Sequence, residues 1–264
     1  MTYLGVDIGF SKRARTTGIA VICPESAEPV RAVHVRTNET LEAIGHLLGD
    51  KKPAAVSIDG PLIPHPKTKR PFIIAPRYRD CEMMLSGGCI QQRCKPGSTA
   101  SPRGQLLHEQ TTYIANSLLA LWPGIKIFES FPNAFLGFTL PDSIFSTPIP
   151  RGKKSDVFWS ACLSSGTLSR AVNIAFGSGK LSRAVISSLP TFTDHEERAA
   201  IICALTARTA HAGKAHKVHS QRDGSIWLAP SVMMQPWARA VLNERLLHSR
   251  AIIAERNRGT HIRS

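Results

Sequence analysis

The chain has 264 residues, of which 42% are hydrophobic and 20% charged, a composition that supports a packed core and excludes wholesale disorder. Lysine and arginine outnumber aspartate and glutamate by 33 to 19, which gives a formal net charge of +14 at pH 7. The sequence has no apolar run of the roughly 18 residues that a transmembrane helix needs. The first seven residues also lack the basic region of a signal peptide, so we expect a cytoplasmic protein without a membrane partner.

The first sixty residues have the pattern of three strands, a helix and a fourth strand. Residues 3–8 and 17–23 are short apolar runs, and 30–36 alternate apolar and polar side chains, as a strand with one solvated face does. Leucine and isoleucine recur at helical spacing over 40–48, and 54–59 is a further apolar strand. We therefore expect an antiparallel meander followed by a helix and a strand.

The middle of the chain alternates regular elements with long connections. Residues 61–103 are rich in proline, glycine and basic residues, which predicts an insertion with one short helix near 79–86. A helix is predicted over 105–121 and a fifth strand over 125–131. A second insertion, rich in serine and glycine, is predicted over 166–190.

The remaining predicted elements are two helices, a short strand and a long basic helix, over 153–165, 194–210, 225–229 and from Trp237 to about Asn257. Three strands, a helix, a strand, a helix and a strand in this order indicate an α/β fold with a mixed five-stranded sheet. This is the order of the ribonuclease H-like fold, in which the first strand lies beside the fourth. We expect that domain over 1–230, followed by a basic C-terminal helix and tail over 231–264.

Acidic residues are scarce, and three of them lie at the ends of predicted strands. Asp7 ends the first strand, Asp59 ends the fourth, and Glu129 lies near the end of the fifth. If the first and fourth strands are parallel neighbours, Asp7 and Asp59 project from the carboxyl edge of the sheet, where ligands bind in open α/β sheets. Two carboxylates so close together repel unless they share a proton or hold a cation.

The helix predicted over 194–210 begins with further acids, and Asp194 or Thr193 is expected to cap it. Asp194 and Glu197 are three residues apart and so share one helix face, from which Glu196 points away. Carboxylate oxygens suit Mg²⁺ or Mn²⁺, and two such ions about 4 Å apart can activate water and stabilise the leaving oxygen of a phosphodiester. The predicted metal ligands are Asp7, Asp59, Asp194 and Glu197, and Glu129 completes the predicted catalytic set.

The excess of positive charge indicates the kind of partner that the protein binds. A net charge of +14 attracts polyanions, and a pI near 10.0 is typical of nucleic-acid-binding domains. Basic residues near the acidic strand ends are predicted to bind a phosphate backbone without reading its sequence: Lys12, Arg13, Arg15, Lys69, Arg70, Arg77, Arg79, Lys153 and Lys154. Aromatic residues make up only 6%, which does not indicate base stacking. The basic C-terminal helix is expected as a nucleic-acid arm or as a contact between copies of the chain.

Six cysteines are present, and none forms a Cys-x-x-Cys pair. Cys81, Cys89 and Cys94 fall in one stretch and could bind zinc together with His108. Their spacing is poor for such a site. Reduced thiols that mostly pack in the interior are therefore the favoured interpretation in a cytoplasmic chain.

Four short motifs carry a resemblance: Gly-Val-Asp-Ile-Gly-Phe-Ser-Lys from residue 5, Thr-Thr-Gly-Ile-Ala-Val from 16, Ser-Ile-Asp-Gly-Pro-Leu from 57 and Phe-Glu-Ser-Phe-Pro-Asn-Ala from 128. In combination they resemble the family catalogued as domain of unknown function 429. The resemblance implies a ribonuclease H-like fold and a nuclease activity. It matches Asp7 and Asp59 to the family's two strand-end acids and Glu129 to the glutamate of its Glu-x-x-Pro segment. The family's late Asp falls at Arg198 here.

Two other functions stay open. Gly5 to Gly9 followed by Thr16-Thr17-Gly18 resembles the phosphate-binding hairpin of actin-like phosphotransferases, although no second copy of that signature follows residue 150. A non-catalytic protein that binds nucleic acid or a protein partner on the same fold is the other alternative. The nuclease is the preferred interpretation because the order of the acids and the net charge both agree with it.

Overall fold

The computed structural model describes residues 1–9, 11, 13–64, 78–86, 88–94 and 97–247. Four of the predicted phosphate-binding residues, Lys12, Lys69, Arg70 and Arg77, lie outside the described residues. So does the part of the predicted C-terminal helix that follows residue 247.

A mixed sheet forms the centre of the fold. Its strands are β1 (Tyr3–Asp7), β2 (Thr17–Ile22), β3 (Val30–Val35), β4 (Ala55–Asp59), β5 (Lys126–Ser130), β6 (His216–Ser220) and β7 (Gly224–Leu228). Their order is β3-β2-β1-β4-β5-β7-β6, with β1, β4, β5 and β7 parallel to one another and the others antiparallel to their neighbours. The predicted α/β class is confirmed, and β1 does lie beside β4. The predicted count of five strands is wrong, because β6 and β7 pair as a hairpin and continue the sheet beyond β5.

The described helices are α1 (Thr40–Leu48), α2 (Asp80–Leu85), α3 (Gly88–Cys94), α4 (Pro102–Leu121), α5 (Pro132–Thr139), α6 (Lys154–Ser164), α7 (Thr167–Phe176), α8 (Lys180–Ser188), α9 (His195–His211) and α10 (236–247). The helices predicted over 40–48, 79–86, 105–121, 153–165 and 194–210 are confirmed, and α10 matches the described part of the one predicted from Trp237. Helices α3, α5, α7 and α8 were not predicted. The proline that ends β5 occupies the first position of α5, where its fixed φ and missing N–H are tolerated. None of these helices is long and apolar enough to cross a membrane.

Helix α9 covers one face of the sheet at unusually close range. An added Cβ at Gly5 would lie 2.0 Å from the carbonyl oxygen of Ala200, and one at Gly18 would lie 2.0 Å from that of Glu196. Only glycine therefore allows the helix backbone to rest on β1 and β2. This close approach fixes the start of α9 beside the end of β1.

Apolar clusters cover both faces of the sheet. On the α9 face, the serine- and glycine-rich segment 166–190 is mainly helical, with α7 packed on α9 and α8 packed on α7, and Val172 and Val185 are buried in the same apolar cluster. On the other face, α1 packs on β2 and β3, and Ile44 of α1 and Ile114 of α4 belong to the apolar cluster that also contains Val6 and Ile58. Each such buried side chain contributes roughly 1.5–3 kcal/mol. The sheet edge that carries the strand-end acids is therefore held between two packed layers.

Candidate metal centre

The last residues of β1 and β4 are register partners across parallel strands. Asp7 and Asp59 therefore leave the sheet on the same face, at its carboxyl edge and beside the first turn of α9. Their carboxyl groups share a hydrogen bond. The expectation that strand pairing brings these two acids together is confirmed.

The ionisation of this pair is strongly perturbed. Burial raises the pKa of Asp7 well above its ordinary value, and the charges of Asp59 and Glu196 raise it further. Burial also raises the pKa of Asp59 to about 7, with a further contribution from Glu129, while the hydrogen bond from Asp7 acts to lower it. Asp7 therefore donates the shared proton. A divalent cation that binds such a pair takes the place of the proton.

A second carboxyl pair lies in the first turn of α9. Asp194 is the N-cap, and its Oδ1 accepts hydrogen bonds from the backbone N–H groups of Glu196 at 2.9 Å and Glu197 at 3.3 Å. Partial burial acts to raise the pKa of Asp194, but these hydrogen bonds, one from the Glu196 side chain and the nearby His34 hold it below its ordinary value. Burial and Asp194 raise the pKa of Glu196. A hydrogen bond thus joins the two carboxyl groups, and Asp194 has the lowered and Glu196 the raised pKa of the pair.

Glu196, rather than Glu197, is directed toward Asp7. Glu196 is 8% exposed, and its charge acts on Asp7. The Glu197 carboxylate lies instead 3.0 Å from Nδ1 of His34 on β3. The expectation that Glu196 points away is wrong, because the bare backbone of Gly18 lets the Glu196 peptide lie directly on β2. That contact sets the rotation of the helix about its axis.

One group of neighbouring side chains has the composition of a metal site. Ligand atoms of Asp194, His195 and Glu196 all lie within 4.8 Å of one another. The His195 Nε2 is 2.9 Å from the Glu196 carboxylate, and the imidazole is exposed. A metal ion could be bound by this group. Within the described ranges, no such group is formed by the cysteines and histidine considered for zinc, which are Cys81, Cys89, Cys94 and His108.

Glu129 is held away from the Asp7 pair. It is the register partner of Ile58, whose side chain packs on the α1 and α4 side of the sheet, so it points to the opposite face from Asp59. Its carboxylate is 5% exposed and accepts hydrogen bonds from both terminal nitrogens of Arg79 and from the backbone N–H of Leu62. The predicted place of Glu129 in the catalytic set is therefore corrected: the guanidinium neutralises it.

Two of the predicted phosphate-binding residues are also engaged inside the protein. Arg79 is 1% exposed and binds Glu82 as well as Glu129, and Lys154 is 9% exposed with its Nζ 2.9 Å from the carbonyl oxygen of Arg93. Buried cations with such contacts are not accessible to a phosphate backbone, which corrects both expectations. Three other predicted residues, Arg13, Arg15 and Lys153, are exposed and stay predictions.

Two residues that the sequence analysis did not single out, Ser130 and Cys203, lie next to the carboxylate pair. Ser130 is the register partner of Asp59, and its Oγ lies 3.3 Å from the Sγ of Cys203 on α9. Burial raises the pKa of the Cys203 thiol, and the charges of Asp59 and Asp7 raise it further, so the thiol stays neutral. The one feature of the sequence that could have indicated the position of Cys203 is its spacing from Glu196. Seven residues are two helical turns, so the two side chains share one face of the helix.

A cavity of about 380 Å³ opens on the far side of Asp59. Its walls are the ends of β4 and β5, the first turn of α4 and the segment before it, and they include Gly60, Ser98, Arg103 and Leu107. The cavity also reaches Arg79 and Glu129. Asp59 is thus bordered by the α9 turn on one side and by an open polar space on the other.

Comparison of the chain with protein-family models, with curated proteins and with solved structures gives no match. The resemblance of the four short motifs therefore stays a prediction. The fold and the site define an α/β protein with a mixed sheet and a carboxylate-rich group beside the start of α9 that could bind a metal ion.

Proposed function

We propose that the chain is a nuclease that depends on a divalent metal and has a ribonuclease H-like core. The observation that carries the proposal is the pair of strand-end carboxyl groups that share a proton at the carboxyl edge of the sheet. A charge of +14 on the whole chain supports nucleic acid as the substrate. The order β3-β2-β1-β4-β5, in which β1 is central, supports the proposed core.

The donor set suits Mg²⁺ or Mn²⁺. Asp7 and Asp59 would hold the ion, with Asp194 and Glu196 completing the ligands from α9, and all four offer the hard oxygens that these ions prefer. The fit is supported by the raised pKa values of Asp7 and Asp59, since a cation would relieve the burial of these carboxyl groups and the repulsion between them. When bound, the metal would supply a water of lowered pKa and would polarise the phosphoryl oxygens.

The chain's own residues would position the metal ligands, donate a proton and bind phosphates. The parallel strands fix the spacing of Asp7 and Asp59, and the close approach at Gly18 positions Glu196. His195 is exposed at the rim and 2.9 Å from Glu196, where its imidazole can give a proton to a leaving oxygen. The exposed Arg13 in the β1–β2 turn would bind backbone phosphates.

The test is cleavage of labelled DNA, RNA and hybrid substrates in Mg²⁺ or Mn²⁺, with wild type beside Asp7→Asn. We expect metal-dependent cleavage that Asp7→Asn reduces by roughly 100-fold or more. Glu42→Gln is the matched control, because it makes the same kind of change on the exposed side of α1, on the other face of the sheet. Its rate should equal that of wild type.

A nucleic-acid-binding protein without catalysis is the second candidate. It is favoured by the engagement of Glu129 with Arg79 and of Glu197 with His34, which removes two of the predicted catalytic acids. Salt-sensitive binding by wild type and Asp7→Asn alike, with no cleavage of any substrate, would contradict the nuclease and support this candidate. Contact between copies through α10 stays a prediction.

A further inference from the structure

The carboxylate pair belongs to a row of side chains that crosses the sheet. Register pairs join Asp7 to Asp59, Asp59 to Ser130, Ser130 to Trp227, and Trp227 to Lys217. Residues paired in this way point to the same face, so Trp227 lies on the face that carries the two acids. Neighbouring strands are about 4.8 Å apart, which puts the Cα of Trp227 about 10 Å from that of Asp59.

This end of the face carries aromatic and basic side chains. Phe128 and Trp227 are half-buried, and Lys217 and His219 are exposed. The two rings meet edge to face with centroids 5.3 Å apart, and the Lys217 Nζ lies 5.7 Å from the Trp227 ring centroid. His219 is fixed by a hydrogen bond of 2.8 Å to Ser225. We call these five residues, Phe128, Lys217, His219, Ser225 and Trp227, the Trp227 surface.

The rest of the structure leaves the Trp227 surface accessible in the part of the chain that is described. Helix α9 packs mainly on β1, β2 and β4, so it makes few contacts with the β7 and β6 end of the sheet. Phe128 forms the base, packed against Ala55 and Ala207. The surface is therefore a rigid ring pair on a sheet rather than side chains on a loop.

The charge around the rings is positive. Lys126 begins β5, is exposed, and shares the face of Phe128 because the two residues are separated by one position. Lys217 stands on the other side of the rings, and neither β6 nor β7 contains an aspartate or glutamate. Aromatic faces between cationic side chains suit a polyanion with flat bases, since bases stack on the rings while phosphates bind the cations.

We propose that the Trp227 surface binds an unpaired nucleic-acid strand, stacks a base on Trp227, and leads the strand to the carboxylate pair. A duplex keeps its bases stacked on one another and cannot offer their faces to the ring. The delivery of the strand rests on the proposed nuclease function, and it specifies single-stranded DNA or RNA as the substrate class. It differs from the sequence analysis, in which the low aromatic content did not indicate base stacking.

Binding is tested by fluorescence anisotropy in EDTA, with labelled oligothymidylate, oligouridylate and a duplex of equal length. We expect Trp227→Ala to weaken binding of the single strands by about 5- to 100-fold, and Trp227→Phe to retain most of it. Tyr113→Ala is the matched control, because Tyr113 is an exposed aromatic residue, 61% accessible, on α4. Duplex binding should be weaker and insensitive to Trp227→Ala. A comparison of the affinities for oligothymidylate and oligouridylate shows whether the surface prefers DNA or RNA.

The phosphate contact has its own measurement. Lys217→Ala should weaken single-strand binding and reduce the slope of log affinity against log salt by about 1. Equal binding by Trp227→Ala and wild type, or equal losses for single strand and duplex, would overturn the proposal. Because EDTA removes the metal, binding that depends on Trp227 without any later cleavage would refute the nuclease and leave this surface intact. Metal-dependent cleavage by wild type, together with binding by Trp227→Ala and Trp227→Phe equal to that of wild type, would support the nuclease and refute the Trp227 surface as a binding site.

Discussion

Two groups of buried carboxylates lie on opposite faces of the same sheet and are neutralised in different ways. Behind β5, Glu129 and Glu82 flank the guanidinium of Arg79, which binds both. On the α9 face, Asp7 and Asp59 have no lysine or arginine ion-pair partner among the residues that the structure describes, and they share a proton. The comparison separates a structural group, which its own cation completes, from the group that we propose as a metal site.

The energetic consequences of the two arrangements differ in sign. Removing the cation from a completed group leaves buried negative charge without compensation and destabilises the fold. Removing one charge from the Asp7 pair relieves repulsion, so the protein without metal is expected to gain stability. This expectation can be tested on both faces of one sheet, under the same conditions.

The largest effect is expected from Arg79→Met. The substitution keeps an apolar stem but leaves Glu129 and Glu82 without their guanidinium, which should lower the free energy of unfolding by about 3–5 kcal/mol. Urea denaturation followed by circular dichroism measures the change. Arg13→Met is the control, since Arg13 is exposed and its loss should change stability by less than about 0.5 kcal/mol. An Arg79→Met protein as stable as wild type would contradict the internal neutralisation of these acids.

The next effect is a loss of stability as the pH rises, measured without metal. The pKa of Asp59 is about 7 in the folded chain against an ordinary value of 3.8, so between these values the folded state holds a proton that the unfolded state has released. The ionisation of Asp59 therefore lowers the free energy of unfolding by about 1.4 kcal/mol per pH unit, or about 2–3 kcal/mol from pH 5 to pH 7. Above the folded pKa no further loss comes from this group.

Asp59→Asn and Mn²⁺ should each remove the part of the slope that Asp59 contributes, while the raised pKa of Asp7 contributes a slope of its own in the absence of metal. The amide carries no proton to lose, so the variant should match wild type at pH 5 and exceed its stability at pH 7. Saturating Mn²⁺ should stabilise wild type more at pH 7 than at pH 5, and Asp59→Asn much less. Wild type with a flat stability profile between pH 5 and pH 7 in EDTA would show that the pair does not hold its proton.

The contrast between the two groups was only half predictable from the sequence. Apolar runs that stop at Asp7 and Asp59, and the order of the strands, were sufficient to place both acids at one sheet edge. Glu129 was misplaced because the face of a strand residue depends on register, and a shift by one residue moves every side chain to the other face. The pattern over 125–131 predicts a strand but not its register against β4.

The other misassignments have the same origin in contacts between distant segments. Arg79 is buried because Glu129, 50 positions later, meets it across the fold. The direction of Glu196 is set by the contact of α9 with Gly18, which helical spacing alone does not contain. Trp227 becomes part of the face of Asp7 only through the pairing of β7 with β5.

The smallest effect separates the two neighbouring glutamates of α9. Glu196→Gln removes a carboxylate that acts on Asp7, and we expect it to weaken Mn²⁺ binding about tenfold or more, or about 1.4 kcal/mol. Glu197→Gln removes the hydrogen-bond partner of His34 and should change the affinity by less than about threefold. Thermal stabilisation titrated with Mn²⁺ at pH 7 measures both variants against wild type.

The pair of variants is matched because both substitutions keep side-chain size in the first turn of one helix and remove one charge from it. Any general effect on the helix dipole is common to the two and cancels in the comparison. A larger loss for Glu197→Gln than for Glu196→Gln would restore the arrangement expected from helical spacing, with Asp194 and Glu197 as the metal ligands. Equal, small losses would instead confine the metal to Asp7 and Asp59, so that the first turn of α9 would serve only to cap the helix.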